Sequence, residues 1–123
     1  MKTALLLILL VTPLRFFAQE KPDINSYVAR VEEGDVESVR EEVPSLLQHY
    51  PNDAGVLYLQ GLVTSDGAEA VRIYQGIVDS FPRGEWADDA LFKVYQFYHA
   101  IGLYLTAEMK WNQLNREYQC CLC

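Results

Sequence analysis

The sequence predicts an all-α protein made of three helix pairs. Apolar residues recur three and four positions apart in one segment after another, and no segment shows the period of two that is typical of strands. An aromatic residue followed by proline occurs at Tyr50-Pro51 and again at Phe81-Pro82. Because the proline ring disfavours the helical conformation of the preceding residue, each of these dipeptides is expected to end a helix. A third stop is expected after Tyr118.

The first pair is predicted between residues 27 and 50. Gly34 marks the turn between its two helices, which are expected at Tyr27–Glu33 and Asp35–Tyr50. Pro44 lies inside the second of these helices, where a proline costs about 3 kcal/mol. We therefore expect a kink or a break in that helix near Val43.

The second and third pairs are predicted from their turns. Residues 65–67, Ser-Asp-Gly, supply the turn of the second pair, and residues 102–104, Gly-Leu-Tyr, supply that of the third. The last helix is expected to run from residue 104 to residue 118. With no following helix to cover its far side, this helix is expected to expose Leu105, Met109 or Leu114.

A shared template repeats along the three pairs. The stops at residues 51, 82 and 119 lie 31 and 37 residues apart, with a mean of 34. Eight residues before the second and third stops stand Tyr74 and Trp111, and four residues earlier stand the small residues Ala70 and Ala107. The first pair is degenerate and has valine at both places, residues 39 and 43.

The first helices of the pairs follow the same template. Leu57 and Gly61 of the second pair correspond to Leu91 and Tyr95 of the third. The second pair is three residues shorter between Gly61 and its small alanine, so its first helix or its turn is expected to be trimmed.

This template resembles the tetratricopeptide repeat, a helix pair of about 34 residues with a small residue, an aromatic residue and a closing proline. The likeness covers roughly Ile24 to Tyr118. It implies a right-handed α-solenoid of about three tetratricopeptide-like antiparallel pairs. In such a stack the small alanine lets two helices approach, and the aromatic side chain fills the gap beside the next helix.

A narrower likeness concerns the segment from Phe81 to Phe92. It is similar to the repeats of bacterial envelope proteins, namely the periplasmic coordinator of the Tol-Pal system and the outer-membrane lipoprotein that helps to assemble β-barrels. Those proteins are non-catalytic adaptors, and the resemblance implies the same role for this chain.

Residues 1–19 are predicted to be a signal peptide, cleaved near Ala18-Gln19, which directs export to a periplasm. Lys2 precedes an apolar run over residues 4–11, shorter than the about 20 residues that a transmembrane helix needs. The alternative is a retained anchor at a membrane surface. Without this stretch, which contains two basic residues and no acid, the net charge changes from −7 to −9. This negative charge argues against nucleic acid as a partner, because phosphate groups are bound by clustered lysine and arginine.

No catalytic residue, metal site or cofactor is predicted. The serines stand in helical or turn settings, none of them inside a G-x-S-x-G elbow, and a glycine-rich phosphate loop is absent from the sequence. The two histidines, His49 and His99, belong to different pairs. The adjacent acids Asp88 and Asp89 are expected to offset the positive end of a helix dipole.

The helical domain, residues 20–118, is followed by a cysteine-rich tail at residues 119–123. Its thiols, Cys120, Cys121 and Cys123, lack the paired C-x2-C spacing of zinc sites. In an oxidising compartment an odd number of thiols favours a disulfide to another chain. The structural alternative is an unstructured stub or the product of a shifted reading frame.

A partner-binding groove is predicted on the inner face, which the first helix of each pair would line. Its expected residues form an aromatic and weakly polar stripe: Tyr58, Leu62, Phe92, Gln96 and His99. The alternative for Phe92 is burial between pairs. Repeat domains that capture a C-terminal carboxylate carry basic residues and asparagine on this face. The ligand here is therefore expected to be apolar or aromatic, with basic residues that suit the acidic surface.

These observations predict an exported, non-catalytic adaptor of a bacterial cell envelope that binds a segment of another protein. Two alternatives stay open. One is a structural subunit that oligomerises through its uncapped last helix, and the other is a redox or metal-linked role of the terminal cysteines.

Overall fold

The computed structural model describes residues 20–118, and over this part of the chain the protein has six α-helices and no strand. The all-α prediction is confirmed. The predicted signal peptide and the cysteine-rich tail lie outside the described residues. The helices are α1 (Ile24–Glu32), α2 (Val36–His49), α3 (Ala54–Val63), α4 (Gly67–Ser80), α5 (Ala87–Ala100) and α6 (Tyr104–Tyr118).

Aspartates fix where three of the helices begin. Asp23, Asp53 and Asp66 immediately precede α1, α3 and α4, and each side chain accepts a hydrogen bond from a backbone N–H of the first turn. Such a cap satisfies a donor that has no partner inside the helix and contributes about 1 kcal/mol. The sequence therefore specifies these starting points locally.

The predicted ends and turns are found in the structure. Helices α2 and α4 end one residue before Tyr50 and Phe81, the aromatic residues that precede proline. Gly34 and Gly102 have positive φ angles of 100° and 81°, which residues with a side chain rarely adopt. Because both glycines lie in three-residue connections, they allow α1 and α5 to be followed at once by α2 and α6.

Of the kink or break expected near Val43, the break is wrong, because α2 continues from Val36 to His49 with Pro44 inside it. Proline removes one hydrogen bond and costs about 3 kcal/mol in a helix interior. Val39 and Val43, on the turn before it, are buried at 0% and 4% exposure. Burial of each such side chain contributes about 1.5–3 kcal/mol, so packing offsets the cost of the proline.

Helices α2 to α6 pack mainly on their neighbours in the chain, whereas α1 makes a larger contact with α3 than with α2. A smaller core cluster joins α2 to α3 through Val39, Val43, Leu59 and Val63. A larger cluster continues through α4 to α5 and α6 and includes Ile77, Leu91 and Leu114 of those helices. The buried surface thus runs along the chain from the first helix pair to the last.

The last helix exposes two of the three apolar residues expected on its far side. Leu105 is 80% exposed and Met109 is 70% exposed, as predicted. The expectation for Leu114 is wrong, because this side chain is only 7% exposed. Leu114 lies seven residues after the buried Ala107, which places both on the side of α6 that faces α5. None of the described helices is both long and apolar enough to cross a membrane.

Candidate functional site

The last helix pair carries the exposed apolar surface of the described part of the chain. Seven large hydrophobic side chains are exposed there, and all of them lie between residues 92 and 111. Single exposed apolar residues are ordinary, so their concentration on one pair of helices distinguishes this part of the chain from the rest. The seven are Phe92, Ile101, Leu103, Tyr104, Leu105, Met109 and Trp111.

A pocket opens between the first turns of α5 and the last turns of α6. Its volume is about 230 Å³. We call it the α5–α6 pocket, and its lining residues are Asp88, Asp89, Phe92, Trp111, Leu114 and Tyr118. Small-molecule and cofactor pockets usually measure about 300–1,000 Å³, so this pocket has the size of a single side chain rather than of a cofactor.

Aromatic rings continue from the pocket along the surface between α5 and α6. Tyr95 lies at the centre, with its ring centroid 5.8 Å from that of Phe92 and 5.3 Å from that of Trp111. His99 extends the row, 5.8 Å from Tyr95 and 5.3 Å from Tyr104. These spacings are typical of favourable aromatic pairs, so the rings hold one another in place while one side of the row stays accessible.

Two carboxylates form the polar edge of the α5–α6 pocket. Asp88 and Asp89 stand in the first turn of α5, as the sequence predicted, and no side chain caps this helix. Asp89 is exposed overall, but the protein surrounds part of its carboxyl group. This burial raises the pKa of Asp89, and the neighbouring charge of Asp88 raises it further. A cation placed beside the pocket edge would therefore stabilise the ionised form of Asp89.

We expect Asp89→Asn to stabilise the protein at neutral pH. The pKa of Asp89 is raised in the folded state, so the folded protein holds this proton more tightly than the unfolded chain does. Ionisation of Asp89 therefore lowers the free energy of unfolding. The gain in melting temperature should be largest above the raised pKa. It should shrink as the pH falls and vanish below the ordinary aspartate pKa of 3.8, where both states are protonated.

The matched control for this substitution is Glu41→Gln, which removes one exposed charge from α2. It corrects for the general effect of reducing the net charge of −7. Thermal unfolding followed by circular dichroism between pH 3 and pH 8 measures both variants. If Asp89→Asn and Glu41→Gln changed the melting temperature equally at every pH, the environment assigned to Asp89 would be wrong.

The predicted groove residues do not form one surface. Phe92, Gln96 and His99 are exposed along α5, as predicted. Tyr58 is only 6% exposed and stacks on Trp86 with ring centroids 4.8 Å apart. Its assignment to an open groove is therefore corrected: burial raises the pKa of Tyr58, and its ring belongs to the core.

Leu62 and Phe92, two further predicted groove residues, differ in exposure. Leu62 is half-buried and packs against both core clusters. Phe92 is 38% exposed and lines the α5–α6 pocket, so it is not buried between pairs. Of the five predicted residues, only Phe92 lines this pocket.

The prediction for Trp111 is wrong, and the error matters because this residue lines the α5–α6 pocket. It was expected to fill a gap as Tyr74 does, yet Tyr74 is 6% exposed and Trp111 is 39% exposed. The Tyr74 ring lies against Gly61, where an added Cβ would be only 2.6 Å from it. The third pair has Tyr95 at the position of Gly61, so Trp111 cannot approach α5 as closely. That replacement was the signal in the sequence for an exposed tryptophan.

No protein-family model, curated protein or solved structure matches this chain. Within residues 20–118, no three histidine, aspartate or glutamate side chains are grouped to hold a metal ion. The three cysteines lie outside the described residues, and their proposed disulfide, redox or metal role stays a prediction.

Proposed function

We propose that this chain is an exported, non-catalytic adaptor of a bacterial cell envelope that binds a segment of another protein. The observation that carries the proposal is the concentration of all seven exposed large hydrophobic side chains on the last helix pair, beside an open pocket. Export is supported by the charged and then apolar pattern of residues 1–19.

We propose further that the six helices form three tetratricopeptide-like pairs in a right-handed α-solenoid. Two features support this arrangement. Within each proposed pair the helices are joined by only three residues, which favours antiparallel neighbours. The packing also runs from each helix to the next, with an added contact of α1 on α3, as in a stack of repeated units.

The size and lining of the α5–α6 pocket support the binding of a side chain. Four of its six lining residues offer rings or an aliphatic side chain, and the other two are the carboxylates at the edge. The one hydroxyl is that of Tyr118, which donates a hydrogen bond of 2.8 Å to the backbone carbonyl of Pro82. The small volume of about 230 Å³ and the largely apolar lining suit the burial of one side chain, which is what binding of a protein segment requires.

Affinity capture from an envelope extract tests the adaptor proposal. We expect the double variant Phe92→Ser plus Trp111→Ser to lose proteins that the native chain retains, because both residues line the α5–α6 pocket. The matched control is Leu105→Ser plus Met109→Ser, which removes two apolar groups that lie outside this pocket. Recovery of the same proteins by the native chain and by the pocket variant would contradict the proposal.

A structural subunit that self-associates through α6 is the second candidate, and the exposure of Leu105 and Met109 favours it. Light scattering of the same purified proteins separates the two functions. A mass that rises with concentration for the native chain, but not for the Leu105→Ser plus Met109→Ser variant, would support the structural subunit. A constant monomer mass would count against it.

A further inference from the structure

In the second helix pair, a tryptophan fills the position that corresponds to the α5–α6 pocket. Trp86, in the connection between α4 and α5, is only 8% exposed. Its ring stacks on Tyr58 at 4.8 Å, and its Nε1 atom lies 2.8 Å from where a Cβ of Gly55 would stand. An indole ring thus covers the first turns of α3.

The α5–α6 pocket is the same position one pair later. Phe92 corresponds to Tyr58, and Asp89 corresponds to Gly55, when the first helices are aligned on Leu57 and Leu91. The residues of α6 that line the pocket correspond, by their distance from the stops, to Tyr74, Ile77 and Phe81 of α4. All three of those residues belong to or pack on the core cluster that contains Trp86.

Residues at corresponding positions of the two pairs differ in exposure. Tyr58, under Trp86, is 6% exposed, whereas its equivalent Phe92 is 38% exposed. Tyr74 is 6% exposed and its equivalent Trp111 is 39% exposed. Phe92 is therefore uncovered because no described residue lies over it as Trp86 lies over Tyr58.

The edge of the pocket differs from its counterpart in charge. The second pair has Ala54 and Gly55 in the first turn of α3, and the third pair has the carboxylates Asp88 and Asp89. None of the six lining residues is basic. An occupant that brings a lysine or arginine beside its aromatic ring would neutralise these charges, whereas an acidic occupant would be repelled.

We propose that the α5–α6 pocket receives an aromatic side chain, accompanied by a neighbouring lysine or arginine, from a segment of a partner protein. The inference rests on the proposed function and names the chemistry of the partner. A second copy of this chain is a poorer occupant, because each copy carries a net charge of −7 and two like-charged chains repel each other.

Binding of designed peptides to the ¹⁵N-labelled full chain tests the proposal. The probe is a 12-residue, alanine-based peptide with blocked ends, one tryptophan, and a lysine one helical turn before and after it. Two matched peptides replace the tryptophan with alanine or both lysines with glutamate. The indole N–H signals of Trp86 and Trp111, assigned with Trp→Phe variants, report which end of the domain is occupied.

We expect the tryptophan–lysine peptide to move the Trp111 signal in a saturable way and to leave the Trp86 signal in place. Loss of the peptide tryptophan should weaken binding about tenfold or more, as is common for buried tryptophan contacts. Phe92→Ala should weaken binding similarly, while Leu105→Ala, outside the pocket, should not. Asp88→Asn plus Asp89→Asn should abolish the preference for the lysine peptide over the glutamate peptide.

Three results would overturn the inference: equal binding of the tryptophan and alanine peptides, no effect of Phe92→Ala, or a dimer in sedimentation whose formation depends on Phe92. These results are distinct from failure of the adaptor proposal. If extract proteins are lost with the pocket variant but the peptides bind equally, the adaptor stands and the aromatic occupant is wrong. If the peptides bind as expected but extract capture is unchanged, the pocket stands and the adaptor is wrong.

Discussion

Trp86→Ala is expected to lower the free energy of unfolding by about 3–5 kcal/mol, the usual cost of removing a buried large aromatic side chain. Trp86 is 8% exposed and stacks on Tyr58. It also approaches Gly55, so this one side chain covers the first turns of α3. Because domains of this size are stable by about 5–15 kcal/mol, this loss is a large share of the total.

Urea denaturation followed by circular dichroism measures this loss, and Trp111→Ala is the matched control. Trp111 is the other tryptophan of the chain and is 39% exposed, so its removal should cost clearly less than that of Trp86. Trp86→Ala should also lower the pKa of Tyr58 towards the ordinary tyrosine value, since burial is the main cause of its increase. Equal losses for the two tryptophans would show that Trp86 does not close the second pair.

The positions of the helices could be predicted from the sequence because local chemistry sets them. The proline after Tyr50 and after Phe81 ends a helix without help from the rest of the fold. Gly34 and Gly102 mark turns whose positive φ angles suit glycine. These signals act within a few residues, so they can be identified in a single sequence.

Pro44 could not be interpreted in the same way, because its effect depends on packing. The sequence gives the local cost of an interior proline, but the compensation comes from Val39 and Val43 against Leu59 and Val63 of another helix. Periodicity identifies an apolar stripe but does not say which helix covers it. Leu114 was placed on the wrong side of α6 for the same reason.

The candidate site could be predicted only in part. Phe92 was singled out from its stripe on α5, and its partial exposure supports that choice. Tyr58 stands at the equivalent position but is buried, because Trp86 lies over it. Among the described residues, Trp86 lies over Tyr58 and no equivalent residue lies over Phe92. A repeat pattern alone treats them as equal.

Gly61→Ala is expected to lower the free energy of unfolding by about 1–3 kcal/mol, although alanine favours helices more than glycine does. The added Cβ would lie 2.6 Å from the Cε1 atom and 2.7 Å from the Cζ atom of Tyr74. Tyr74 is 6% exposed and its ring packs on that of Tyr58, 5.5 Å away, so it has little room to move. Overpacking therefore outweighs the gain in helix propensity.

Gly76→Ala is the matched control for Gly61→Ala and should have the opposite sign. Gly76 lies within α4, where an added Cβ has no neighbour within 4 Å, so alanine should raise stability by about 0.5–1 kcal/mol. Urea denaturation of both variants, and of Gly61→Ala combined with Tyr74→Leu, measures the coupling. If Gly61→Ala were as costly with leucine at position 74 as with tyrosine, the ring would not be the obstacle. Tyr95, at the place of Gly61, would then not be the reason that Trp111 is exposed.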